Sequence, residues 1–182
     1  MDLFEAIEKR RTVRTFKKKP SEEQLKKIIL AGSKAPSSRN SQPWEFILVE
    51  DQKIIDQLAE QKYLLSRKMP PAEGEGQDKV EERALSQKKS FENASVIAVC
   101  HPKGQVPSAW LCIENVSLGA VGEGLGTGIV VYWGEEEGNV KKILGLPEGF
   151  DLAAVLKVGE PGEKPGAPPK RKDFSWLHKN RF

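Results

Sequence analysis

The sequence predicts a β-sheet covered by helices, in either an α+β or a doubly wound arrangement. Two observations carry this. Compact apolar runs suited to buried strands alternate with segments whose apolar residues recur at helical spacing. The chain also has 182 residues, 38% hydrophobic and 30% charged, which suits one domain with a sizeable core. The connections do not fix the strand order.

In chain order, residues 3–11 read as a helix with Leu3, Phe4, Ala6 and Ile7 facing inward. Ser21 opens a second helix, with Gln24 three residues on completing a capping box. Leu25, Ile28, Ile29 and Gly32 continue one face until Pro36 ends it. "WEFILVE" (Trp44–Glu50) is a buried strand, and Asp51 caps a helix with Ile54, Ile55, Leu58 and Ala59 inside. Residues 66–93 are charged and hold Pro70-Pro71 and two glycines. They read as an exposed connection or a lid, with a short helix near 78–90. "ASVIAVC" (Ala94–Cys100) is the next strand, and Pro107 sits in the first turn of a helix over roughly 107–125. "GIVVYW" (Gly128–Trp133), a short helix at Asn139–Leu144 and "DLAAVLKVG" (Asp151–Gly159) follow. From Pro161 the chain is rich in proline, glycine and base, as in an extended surface arm.

Several function classes find little support. No apolar run reaches the length of a membrane span, and "MDLFEAIEKRR" does not read as a secretory signal. Cys100 and Cys112 form no CxxC or Cys/His cluster, so they read as buried reduced thiols of a cytoplasmic protein, with no metal site. His101 and His178 lack the partners of a nucleophilic triad or a zinc site. "GEGLGTG" (Gly122–Gly128) follows a helix where a dinucleotide fingerprint must follow a strand, and its sixth position is Thr127. Side chains that offer no evident chemistry of their own point to a cofactor that supplies it.

Two segments suggest what that cofactor is. "KRRTVRTFKKK" (Lys9–Lys19) holds seven basic residues and no acid. The basic tail "PKRKDFSWLHKNRF" (Pro169–Phe182) invites a nucleic-acid reading, but no recognition helix or stacking array accompanies either segment. One locally bound phosphate is the more economical account, with Arg10, Arg11, Thr12 and Arg14 as its donors. "KAPSSRNSQPWEF" (Lys34–Phe46) places six polar residues between two prolines, a stiff hydrogen-bonding edge. Clamp and edge suit the two ends of a phosphorylated planar heterocycle.

With these residues in view the chain resembles the nitroreductase-like flavoproteins. The matching stretches are "RRTVRTF" (Arg10–Phe16), "APSSRNSQPWEFILV" (Ala35–Val49), Asn115 within "CIENVSLGAVGEGLGTG", and "LGLPEGFDLAAVLKVGEP" (Leu144–Pro161). The resemblance implies one α+β domain over 1–182 with a central mixed, mostly antiparallel sheet, and FMN at a homodimer interface. It implies that Arg10, Arg11, Thr12 and Arg14 hold the phosphate and ribityl chain, with Arg171 of the tail (or its neighbours Lys170 and Lys172) completing the phosphate site. Pro36, Ser37, Ser38, Asn40 and Gln42 are expected to reach the ring from the opposite subunit. Backbone amides within Ile129, Val130, Val131 and Tyr132 are expected to face it. The implied reaction takes hydride from NADH or NADPH and reduces a nitroaromatic, quinone or similar acceptor by turns. Reductive dehalogenation, flavin fragmentation, an ene-type reduction or a flavin-binding redox module with little turnover are the alternatives. The chain departs from the family pattern in its threonine at position 12, where serine is usual, and in residues 66–93.

Overall fold

The computed structural model describes residues 1–71, 76–163, 166 and 175–182. Six helices and five strands alternate along them: α1 (Leu3–Lys9), β1 (Phe16–Lys18), α2 (Glu22–Gly32), β2 (Glu45–Val49), α3 (Gln52–Arg67), α4 (Gln77–Lys89), β3 (Ser95–Pro102), α5 (Val106–Gly122), β4 (Gly126–Val130), α6 (Gly134–Ile143) and β5 (Phe150–Pro161). The sheet runs β1-β5-β3-β2, with β4 also pairing to β5. Every strand pair is antiparallel, so the α+β alternative holds. Among the described residues a single parallel contact, an isolated bridge from Thr12 to Thr127, joins the basic segment to β4.

The period-two alternation of the central strands divides the core. Ile97 and Val99 of β3, with Ala154, Leu156 and Val158 of β5, pack under α2 and α5. Val96, Ala98 and Cys100, with Val155, pack under α3 and α6 through Ile55, Leu58 and Val140. Both cysteines are free and buried, and burial pushes their thiols up to about 11 for Cys100 and about 12 for Cys112.

Local signals place several boundaries. The Ser21 hydroxyl accepts from the Gln24 amide while the Gln24 side chain accepts from the Ser21 amide, the expected capping box. The Asp51 carboxylate accepts from Lys53 N–H at the start of α3. Asn115 of α5 donates to the carbonyl of Ala31, tying α5 to α2.

Other expectations are corrected. Of the four α1 residues expected inside, only Ala6 is buried; Leu3, Phe4 and Ile7 are exposed, because nothing in one chain covers that face. β2 is an edge strand, with Leu48 facing out. Within 66–93 the expected short helix is present as α4, but the segment is more than an exposed connection. α3 runs on to Arg67, and α4 packs beside it, burying Val80 and Ala84. Tyr63 and Arg67 meet Glu81, and Lys88 meets Glu60, across that helix pair. α6 begins five residues early, where Glu135, Glu136 and Glu137 complement the positive end of the helix dipole.

Candidate functional site

The backbone after α1 is extended, and alternation along it decides which way each basic side chain faces. The Val13 amide donates to the Thr127 carbonyl at 2.9 Å, holding this segment against β4. Thr12 and Arg14 consequently face a cavity of about 370 Å³. Arg11 and Val13 face a different one, of about 390 Å³. There the Arg11 guanidinium donates to the carbonyls of Glu8 and Arg10 through Nη1, while its buried Nε has no partner among the described residues. Arg10 caps α1 and stands 3.6 Å from Glu114 of α5. The structure thus brings Thr12 and Arg14 together and sends Arg11 to the other side.

The cavity that takes Thr12 and Arg14 has Gly128, Ile129 and Lys157 of the sheet as its floor and Trp133 at its rim. Lys62 and Ser66, one turn apart on α3, form one wall; Arg83 and Gln87, one turn apart on α4, form another. Four cations line it, and no Asp or Glu among the described residues does. Lys62 lies over the Trp133 ring at 5.6 Å, and burial pushes its ammonium below the usual lysine range.

Lys157 is the least expected member. It is 2% exposed in the middle of β5, paired with Val96 of β3 on one side and Gly128 of β4 on the other. Its Nζ donates to the Ser90 hydroxyl, which in turn donates to the Gln87 carbonyl at 2.6 Å, and it lies 5.0 Å from the Phe91 ring centre. Burial first, then the charges of Arg14 and Lys62, lower it to about 7.

The polar loop is not part of this cavity. Ser38 to Asn40 form a single 3-10 turn, and Arg39, Asn40 and Gln42 take left-handed φ values of 52°, 54° and 44°. Such backbone is costly for residues other than glycine and is held by its surroundings. The Ser37 hydroxyl accepts from Gln42 N–H at 2.9 Å, the Gln42 side chain donates to Asn40, and Ser38 N–H reaches Ser108 of α5. Pro36, Ser38, Asn40 and Gln42 are exposed and Ser37 half-buried.

The predicted amide stretch splits by side-chain direction. Ile129 lines the cavity, Val131 is exposed, and Val130 and Tyr132 turn into the core, where the Tyr132 hydroxyl donates to the Leu58 carbonyl at 2.8 Å. Burial pushes the Tyr132 phenol far up, so it stays neutral. Arg171, with Lys170 and Lys172, lies outside the described residues.

Sequence reasoning passed over Lys157, Lys62, Arg83, Gln87 and Trp133. One signal was present for Lys157, a lone lysine inside the apolar run of "DLAAVLKVG". For the helix residues there was none beyond their four-residue spacing.

A five-stranded antiparallel sheet between two helical layers, with a cationic cavity at β4 and β5, defines an α+β protein. The chain belongs to the Nitroreductase family, whose model matches residues 7–160. It is 30% identical over 179 residues to the iodotyrosine deiodinase of Thermotoga neapolitana, covering 91% of this chain and 92% of that protein. It is 34% identical over 193 residues to an NADPH-dependent oxidoreductase of Staphylococcus haemolyticus, covering 99% of this chain and 74% of the other. Among solved structures, an oxidised iodotyrosine deiodinase bound to FMN and 3-iodo-L-tyrosine is similar over 100% of both chains, with a TM-score of 0.80 at 27% identity.

Proposed function

We propose that this chain binds FMN at a homodimer interface and acts in the cytoplasm as an NADH- or NADPH-dependent oxidoreductase, reducing a nitroaromatic, quinone or similar acceptor by a ping-pong mechanism. The observation that carries the reading is the cavity where Thr12 and Arg14 meet Lys62, Arg83 and Lys157, with no carboxylate among the described residues that line it. A neutral hydroxyl among guanidinium and ammonium groups is the donor chemistry a phosphate needs, and it fits FMN. Bound there, FMN supplies the two-electron chemistry that the side chains lack. Thr12 and Arg14 orient it, with Arg10 and Arg171 at the phosphate end and the amides of residues 129–132 donating to the ring. Trp133 and Ile129 exclude water beside it.

The second subunit is inferred from two features. Leu3, Phe4, Ile7, Leu30, Trp110 and Leu111 leave apolar surface uncovered in one chain. The strained loop of Pro36, Ser37, Ser38, Asn40 and Gln42 is a stiff polar edge that does not line the cationic cavity, as expected if it serves the partner's flavin.

Purified protein tests this directly. It should be yellow or take up added FMN, and NADH or NADPH should bleach it without oxygen. A colourless protein that refuses FMN overturns the reading, and bound flavin that neither nicotinamide bleaches reduces it to a passive binder. Similarity to iodotyrosine deiodinase in both sequence and solved structure favours one alternative, reductive dehalogenation on the same scaffold. Anaerobic oxidation of the reduced protein by 3-iodo-L-tyrosine, set against a nitroaromatic and a quinone, separates the two.

A further inference from the structure

We propose that Lys62 selects the electron acceptor, favouring aromatic molecules whose ring lies against Trp133 and which carry a carboxylate or a like anionic group. The proposal rests on the flavin reading above and adds to it a substrate class and the residue that recognises it. Thr12 and Arg14 enter the cavity from the segment after α1 and serve the flavin. Lys62 enters from α3, and its ammonium lies over the Trp133 ring at 5.6 Å. Trp133 is 46% exposed and Met69 43%, and both line this cavity, so its rim keeps apolar surface that a second flat ring can cover. Ser66, one turn along α3 from Lys62, lines it too and adds a neutral hydroxyl donor.

Charge decides between ligands of one shape. Lys62 is half-buried, and burial holds its ammonium below the usual lysine range, so the group has already given up part of its water. A neutral aromatic that covers Trp133 takes more of that water and returns only dispersion contacts. An aromatic acid takes the same water and returns a charge-assisted hydrogen bond, which is worth roughly 10- to 150-fold in affinity. A cationic aromatic would add repulsion from Lys62 and Arg14, which line the cavity together. The rim therefore ranks acceptors by the sign of their charge, while the ring beneath it supplies the electrons.

Benzoate and benzamide share a shape, differ in charge and carry no group for the flavin to reduce, so calorimetric titration of both into oxidised protein saturated with FMN reads the selection without turnover. Benzoate should bind at least about tenfold more tightly than benzamide. Lys62→Met should bring the two within about threefold, and Lys62→Arg should keep the preference. Trp133→Leu should weaken both ligands. In turnover, Lys62→Met should lower the ratio of kcat/KM for 4-nitrobenzoate over 4-nitrobenzamide by about tenfold or more. Equal binding of benzoate and benzamide to wild type, binding of neither, or a preference that survives Lys62→Met overturns the proposal and leaves the flavin reading intact. So does a Lys62→Met variant that is reduced more slowly by NADH or NADPH yet still prefers benzoate, since Lys62 then serves the nicotinamide donor. If the protein takes up no FMN, the flavin reading falls on that ground alone. The same comparison on flavin-free protein then decides Lys62: a benzoate preference lost in Lys62→Met sustains the selection, and its absence ends it.

Discussion

Lys157 crosses the space that Gly128 leaves empty on the neighbouring strand. The two residues face each other in the β4–β5 register, and a Cβ on Gly128 would stand 3.0 Å from Lys157 Cε and 2.5 Å from the Val13 carbonyl oxygen. Lysine can shift its stem, but Val13 belongs to the backbone that bridges to Thr127 and presents Thr12 and Arg14. Gly128→Ala should therefore destabilise the fold by about 1–3 kcal/mol, as overpacking does, and weaken FMN binding at the same time. Urea unfolding and a flavin titration on the same variant check both halves.

Lys157 also sets a pH dependence. Its pKa is lowered from 10.5 in the unfolded chain to about 7 in the fold, so between these values the unfolded state binds the extra proton. Stability must then rise with pH above 7, by at most about 1.4 kcal/mol per unit, and be flat in this term below 7. Cys100 and Cys112 act in the opposite sense: their folded thiols, raised from 9.0 to about 11 and about 12, make the unfolded chain lose protons first and reduce stability above pH 9. Flavin-free protein should be most stable near about pH 9, where the two trends meet. Lys157→Met should remove the rise between about pH 7 and 8.5 and keep the fall above 9. Urea midpoints across a pH series measure it.

Tyr132 anchors the end of the amide stretch to α3. Its hydroxyl donates to the Leu58 carbonyl at 2.8 Å and its ring packs in the core under α3 and α6. Tyr132→Phe keeps the ring and loses one buried hydrogen bond, so about 1 kcal/mol and a melting drop of roughly 2–4 °C are expected. A scan of the variant against wild type suffices. A much larger loss would mean that the hydroxyl holds the whole β4–α6 turn in place.

The uncovered apolar face of α1 predicts an assembly. Phe4 is 78% exposed, and Leu3 and Ile7 lie beside it on a helix with one buried residue. Phe4→Asp places a charge in the centre of that face and should turn the proposed dimer into a monomer in light scattering, with loss of bound flavin as the proposed contribution of the 36–42 loop to the partner's site is removed. A dimer that survives this change would place the interface elsewhere.

What was legible in the sequence followed from how local each signal is. The Ser21–Gln24 box and the Asp51 cap are contained within four residues, and both stand where they were expected. β1 escaped notice because Phe16, Lys17 and Lys18 carry no apolar alternation; only the edge of β5 makes them a strand. The exposed side of α1 was misjudged because helical periodicity says which residues share a face and not what covers it. Thr12 and Arg14 share one cavity, whereas Arg11, grouped with them in the sequence, lines another, because alternation along the backbone turns it to the opposite side. Lys157 could be noticed as an oddity in an apolar strand. Its meaning depends on Gly128 and Ser90, which pairing and packing bring together across 29 and 67 positions of sequence.

That difference between neighbouring arginines gives the sharpest test of the site. Arg14 shares the cationic cavity with Thr12, whereas the Arg11 guanidinium is spent on the carbonyls of Glu8 and Arg10 in the other cavity. A charge-assisted contact to a phosphate contributes about 1.5–3 kcal/mol, or roughly 10- to 150-fold in affinity. Arg14→Ala should cost FMN binding that much with little change in unfolding. Arg11→Ala should do the reverse, loosening the end of α1 while leaving the flavin dissociation constant within about threefold of wild type. Equal losses of affinity in both variants would mean that Arg11 swings round to the phosphate when the ligand enters.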